Sequence, residues 1–78
     1  MMDDDFDLLK ACFLSVLGTD RIELDFNRTT ISNWDSLNHI KLIVEIERRF
    51  NFRFRQVEIE SMRSVDDIYR AISGRKGR

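Results

Sequence analysis

Residues 34–50, WDSLNHIKLIVEIERRF, carry the clearest helix signal in the chain. Asp35 is a favoured N-cap residue, and apolar residues recur after it with helical spacing, so the stretch predicts a helix over 36–50. Ser36 then lies in the first turn, next to unpaired backbone N–H groups and the positive end of the helix dipole. A phosphate attached to its hydroxyl would be well held there. Taken alone, Asp-Ser-Leu is better explained as an ordinary capped helix whose second residue is serine.

The composition describes one small domain with a single core. The chain has 78 residues, of which 42% are hydrophobic, and this is near the lower size at which a domain folds unaided. A single cysteine, Cys12, excludes an internal disulfide framework, and we expect it to be buried rather than nucleophilic. No segment has the length of a transmembrane helix and the N-terminus is acidic, so we expect a cytoplasmic monomer without membrane insertion.

The net charge of −1 conceals an uneven distribution. Residues 1–35 carry eight acids and three bases, for a charge of −5, whereas residues 36–78 carry six acids and ten bases, for a charge of +4. The two halves of the chain would therefore attract different partner surfaces.

The first half predicts one helix and a long ordered loop. Helical spacing of apolar residues indicates a helix over 4–17, and Gly18 is a natural stop. The residues after it are a long connection for so small a domain. The Thr29-Thr30 and Ser32-Asn33 pairs favour turns over the alternative of a short hairpin. The apolar residues expected to anchor this loop on the helices are Ile22, Leu24, Phe26 and Ile31.

The second half predicts two further elements after the helix over 36–50. A short irregular or one-turn helical segment covers residues 52–59. Ser64 opens a last helix, with Asp67 completing an approximate capping box, and Gly74 ends it. Residues 75–78 would form a disordered tail. We therefore predict an all-α single domain over 1–78: a small four-helix bundle with three main helices, a short third helix and a long ordered loop between helices 1 and 2.

This order of elements, together with two motifs, resembles the acyl carrier protein family. The resemblance covers nearly the whole chain, and the Asp-Ser-Leu triplet becomes specific only in this order and length. The first motif is Trp34-Asp35-Ser36-Leu37 followed by Ile40, Ile43, Val44, Ile46, Glu47 and Phe50, and the second is Ser64-Val65-Asp66-Asp67-Ile68.

The resemblance implies a carrier rather than an enzyme. Ser36 would be the attachment site for 4′-phosphopantetheine, transferred from coenzyme A by a phosphopantetheinyl transferase that recognises Asp35 and Leu37. The thiol of this group would carry acyl or aminoacyl groups as thioesters. Acyl-loading and acyl-transferring or condensing enzymes of a lipid, polyketide or related pathway would then be the partners.

The helix over 36–50 has two apolar zones instead of one. Either the long loop covers the second zone, or that zone is a partner-docking stripe beside Ser36, which is the interpretation we adopt. The first zone contains Leu42, Ile43, Ile46 and Phe50, with His39 among them. The second contains Leu37, Ile40 and Val44, flanked by Lys41, Glu47 and Arg48.

The charges of this helix depart from the family pattern. Many acyl carrier proteins of fatty-acid synthesis present a strongly acidic second helix to basic patches on their enzymes. Here Lys41, Arg48 and Arg49 stand against Glu45 and Glu47. The mixture predicts a specialised set of partners, since a basic patch would be repelled.

Several other residues have competing interpretations. A lone His39 on an apolar face is expected to be a hydrogen-bonded core residue and not a catalyst. Trp34 is either a loop anchor or an exposed docking aromatic. Phe52-Arg53-Phe54-Arg55 either alternates between core and solvent, which we favour, or forms an aromatic-basic platform for single-stranded nucleic acid. An acyl chain would be sheltered inside the bundle by Ile46, Phe54, Ile59, Met62 and Ile68.

Two other classes of function compete with the carrier. A helical nucleic-acid-binding domain would need a basic footprint, which the net charge of −1 and the acidic first half oppose. A protein-interaction module would leave Ser36 without a chemical role. A hydrolase is the weakest interpretation, because no base is evident for Ser36. The residues available for nucleic acid would be Arg48, Arg49, Arg53, Arg55 and Arg63.

Overall fold

Residues 4–19 and 21–76 are described by the computed structural model, which folds them into four α-helices. The helices are α1 (Asp4–Leu17), α2 (Ser36–Phe50), α3 (Gln56–Ser61) and α4 (Val65–Lys76). No strand occurs within these two ranges, where an isolated antiparallel bridge joins Asn27 and Ser64. The predicted all-α bundle with a short third helix and a long first loop is confirmed.

The ends of the helices follow the sequence signals, with one exception. Gly18 adopts φ 77°, and its N–H donates to the Leu14 carbonyl at 3.0 Å, which ends α1. The Ser64 hydroxyl accepts from the Asp67 N–H at 3.2 Å and thereby caps α4. The predicted stop at Gly74 is wrong, since α4 continues to Lys76; a glycine lowers helix stability by only about 1 kcal/mol. Residues 77–78 of the predicted tail lie outside the described residues.

The core is formed between α1, α2 and α4, with apolar residues of the loop segment 21–35 packed on it. Cys12 is buried among apolar side chains, as expected. Trp34 is only 2% exposed and meets the Phe13 ring edge-on at 5.2 Å, so it is a loop anchor. The other buried apolar residues are Leu9, Leu17, Ile22, Ile31, Leu42, Ile43, Ile46, Phe54, Met62, Val65, Ile68 and Ile72.

We name residues 18–35 the α1–α2 loop; it is bonded to the start of α4 through its backbone. The Phe26 carbonyl accepts from the Val65 N–H at 2.9 Å, and the Leu24 carbonyl accepts from the Asp66 N–H at 3.1 Å. These bonds satisfy N–H groups that a helix start leaves without partners. The Leu24 side chain is 44% exposed, so its expected packing is wrong: this residue contacts α4 through its carbonyl group.

The connection between α2 and α3 contains the Phe-Arg alternation, and its Phe side chains pack toward the core while its Arg side chains face solvent. Phe54 is buried, Phe52 is half-buried against it with the ring centroids 4.9 Å apart, and Arg53 and Arg55 are exposed. A carboxylate oxygen of Glu47 accepts from the Phe54 N–H at 2.8 Å. The aromatic side chains thus face the protein, and they do not form an open platform for bases.

None of the described helices combines the length and the apolar character that a membrane crossing requires.

Within the described ranges, no group of three or more His, Cys, Asp or Glu side chains is arranged to hold a metal ion.

We predict that Glu47→Ala destabilises the protein by about 1–3 kcal/mol, because the Phe54 N–H loses a charged acceptor in a partly buried position. Urea unfolding followed by Trp34 fluorescence measures this change. Glu60→Ala is the matched control, since Glu60 is exposed and bonds only the Gln56 side chain among the described residues; it should change stability by less than about 0.5 kcal/mol. Equal effects of the two substitutions would contradict a structural role for Glu47.

Candidate functional site

Ser36 is presented to solvent as the first residue of α2. Asp35 has the extended backbone of an N-cap residue, and its carboxylate accepts from the Asn38 N–H at 2.9 Å. The Asn38 side chain in turn donates to the Asn33 carbonyl at 2.7 Å. The N–H groups of Ser36 and Leu37 have no acceptor among the described residues. The hydroxyl therefore lies on a well-braced turn, beside two donors that suit an anion.

His39 secures this turn from inside the protein. The Trp34 indole N–H donates to His39 Nδ1 at 3.1 Å, so Nε2 carries the ring proton and donates to the Ile59 carbonyl at 3.0 Å. Burial lowers the pKa of His39 below its ordinary value of 6.5, and the charge of Arg28 lowers it further, against the hydrogen bond to Ile59. His39 is the hydrogen-bonded core residue that its position in the helix predicted.

Arg28 is the partner of the Ser36 hydroxyl that sequence reasoning missed. Its Nη2 lies 3.5 Å from Ser36 Oγ. A guanidinium donates hydrogen bonds and does not take up a proton, so this contact supplies no general base for a hydrolase. The eight-residue separation follows no helical or strand period; the loop path that brings the two together is set by contacts with α4.

The second apolar zone of α2 is open to solvent. Leu37 is 65% exposed, Ile40 51% and Val44 53%, so the α1–α2 loop does not cover it. Lys41 and Arg48 are exposed beside these residues. We call Leu37, Ile40 and Val44 the apolar stripe.

Both acidic residues of α2 are engaged within the protein. Glu45 pairs with Arg48 at 3.5 Å and forms a closer ion pair with Arg49. Glu47, expected to flank the docking zone as a steering charge, is half-buried and bonded to the Phe54 backbone. Lys41 is left as an exposed cation with no ion pair among the described residues.

The predicted acyl-pocket residues belong to one hydrophobic cluster or pack against it. Ile46, Phe54, Met62 and Ile68 are buried, while Ile59 is half-buried at the margin of the core. Because protein interiors are close-packed, we expect an acyl chain to enter by displacing some of these side chains.

Residues 7–72 match the family model described as the phosphopantetheine attachment site. The chain belongs to the acyl carrier protein family. It is 33% identical to the acyl carrier protein of Chlamydia caviae, over 97% of both chains. It is 32% identical to that of Chlamydia felis, over 97% of this chain and 96% of the relative.

A solved structure shares the fold. It is described as an acyl carrier protein from Mycobacterium tuberculosis, with a TM-score of 0.81, 24% identity, and coverage of 90% of this chain and 96% of that one. At this identity the likeness supports the four-helix architecture alone.

Membership of the family has two direct consequences. Acyl carrier proteins are carriers and not enzymes, and their cofactor is 4′-phosphopantetheine. The residues at the start of α2 fit such a group, since they combine an exposed hydroxyl, two N–H donors and a guanidinium. When bound, the group supplies a thiol on a flexible arm.

We predict that acidification destabilises the protein through His39, its only histidine. Because the folded-state pKa is lowered, the unfolded state binds the proton first as pH falls below about 6.5. His39 should therefore add no pH dependence well above 6.5, and stability should decline from there toward pH 5. Urea unfolding across this window should show a slope in the wild type and a flatter profile in His39→Gln. Parallel profiles would contradict the neutral, buried state of His39.

Proposed function

We propose that Ser36 carries 4′-phosphopantetheine and that the protein delivers acyl or aminoacyl groups, held as thioesters on its thiol, to partner enzymes. The observation that supports this most directly is the exposed Ser36 hydroxyl at a capped helix start, with the Arg28 guanidinium beside it. Such an environment stabilises an attached phosphate.

Attachment requires a phosphopantetheinyl transferase. Ser36 Oγ would form a bond to the phosphorus of phosphopantetheine while the bond to the nucleotide part of coenzyme A breaks. The hydroxyl proton would pass to a base of the transferase, because Arg28 cannot accept it. Asp35 and Leu37 flank the hydroxyl and are proposed recognition residues for this enzyme.

We place partner docking on the apolar stripe and its charged neighbours Lys41 and Arg48. Exposed apolar residues beside the attachment point suit a contact surface, and nearby charges steer the encounter. Since Glu45 and Glu47 are engaged within the protein, the exposed charges here are mainly cationic. This favours partners of a specialised lipid, polyketide or nonribosomal peptide pathway over enzymes with basic docking patches.

Loading with coenzyme A and a broad-specificity phosphopantetheinyl transferase tests the attachment. Intact mass should rise by one phosphopantetheinyl group in the wild type and in Ser32→Ala, a matched change at a nearby exposed serine, but not in Ser36→Ala. No mass gain with a transferase that loads a control carrier would sink the proposal.

Thiol titration of the native protein gives an independent measure of the same reaction. Burial raises the pKa of the Cys12 thiol to about 11, so the unloaded protein should show no fast-reacting thiol at pH 8. The loaded protein should show one, and Cys12→Ala should give the same gain. A fast thiol before loading would contradict the burial of Cys12.

Docking on the apolar stripe predicts a kinetic defect without a folding defect. Val44→Glu should lower kcat/KM for loading by the transferase about tenfold or more, because it buries a charge in an apolar contact. Leu14→Glu is the control, since Leu14 is 50% exposed on α1 and Val44 is 53% exposed. Circular dichroism should be unchanged in both. Equal loading rates for the two variants would show that the stripe is not part of this interface.

A further inference from the structure

Arg28 is held at the attachment site by its backbone as well as by its side chain. Its N–H donates to the Arg63 carbonyl at 3.3 Å, next to the bridge between Asn27 and Ser64. The Asn27 side chain accepts from the N–H groups of Thr29 at 2.9 Å and Thr30 at 3.0 Å. The turn that carries Arg28 is thus braced on both sides, and its half-buried side chain is directed at Ser36 before any group is attached.

Arg28 forms no ion pair in the part of the chain that the structure describes. Within residues 4–19 and 21–76 it has no carboxylate within salt-bridge distance, and its side-chain hydrogen bond goes to the neutral Ser36 hydroxyl. The carboxylate of Asp35, the residue before Ser36, accepts from the Asn38 N–H. A guanidinium forms stronger hydrogen bonds to an anion than to a neutral hydroxyl. The contact between Arg28 and Ser36 Oγ would therefore be strongest when that oxygen belongs to an anion.

We propose that Arg28 binds the phosphodiester formed when Ser36 is loaded, and so fixes the base of the arm on the side of the α1–α2 loop. This inference rests on the proposed attachment at Ser36. The non-bridging phosphodiester oxygens would lie two bonds from Oγ, close to a guanidinium whose fork matches phosphate geometry.

Arg28 would also offset a repulsion that the motif creates. Loading places an anion on Ser36, the residue next to Asp35 in sequence, and the two like charges repel each other. The guanidinium lies against the same hydroxyl, so it lowers the electrostatic cost of holding two anions at one helix start. Arg28 acts as a positioning residue, since it takes no part in bond formation.

The test compares loaded and unloaded protein in the wild type, Arg28→Gln and Arg21→Gln. Arg21 is the matched control, an exposed arginine of the same loop. Intact mass first establishes loading, so failure of the proposed attachment is seen separately. The quantity compared is the melting temperature of the loaded form minus that of the unloaded form. At low salt, this difference should be about 2–5 °C lower in Arg28→Gln than in the wild type. Arg21→Gln should keep the wild-type difference.

Two further readouts distinguish phosphate binding from a general effect on the fold. In the wild type, the contribution of loading to the melting temperature should shrink in 1 M NaCl, where the Debye length falls to about 3 Å. The ³¹P resonance of the phosphodiester should move in Arg28→Gln and not in Arg21→Gln. If loaded Arg28→Gln matches loaded Arg21→Gln in both the melting difference and the ³¹P resonance, the proposal is overturned. If Arg28→Gln does not fold, the wild type alone provides the test. A change in melting temperature on loading that does not depend on salt would then overturn the proposal.

Discussion

The hydrogen-bonded chain from Trp34 through His39 to the Ile59 carbonyl is the constraint on which the rest of the structure depends. It joins the end of the α1–α2 loop, the first turn of α2 and the short α3 inside the core. Each polar atom in it has a partner, and this condition must hold where an imidazole and an indole are buried together. Since Trp34 and His39 flank the Asp-Ser-Leu triplet in sequence, the same contacts also fix the direction in which Ser36 faces.

The α1–α2 loop is held against α4 because it supplies hydrogen-bond acceptors for N–H groups that have no partner within the helix. Its carbonyl groups at Leu24 and Phe26 accept from the first N–H groups of α4, while Ile22 and Ile31 supply the apolar contact. A domain of this size has few apolar residues to spare. Polar bonds from loop to helix therefore maintain the geometry of the site, and they bring Arg28 to Ser36.

Apart from the stop at Gly74, prediction from the sequence succeeded where the signal is local, and it failed where the structure depends on long-range contacts. Helical periodicity and capping residues predicted the ends of α1 and α2 correctly, because these two signals depend on residues that are close in sequence. The exposure of Leu24 and the contact of Arg28 with Ser36 depend on how the loop lies on α4. No pattern within the loop specifies that path. Whether the acyl-pocket and docking residues act as predicted depends on a cargo and on partners, which no local pattern encodes.

The acidic residues of α2 show why residue counts do not describe a protein surface. By count, the helix has two acids against three bases. In the structure Glu45 faces Arg48 and Arg49, and Glu47 bonds the Phe54 backbone, so neither carboxylate is fully available to a partner. Lys41 has no such engagement among the described residues. A partner docking on the apolar stripe as proposed would therefore meet Lys41 and the exposed guanidinium of Arg48 rather than the carboxylates, so an acidic or neutral surface would be favoured over a basic one.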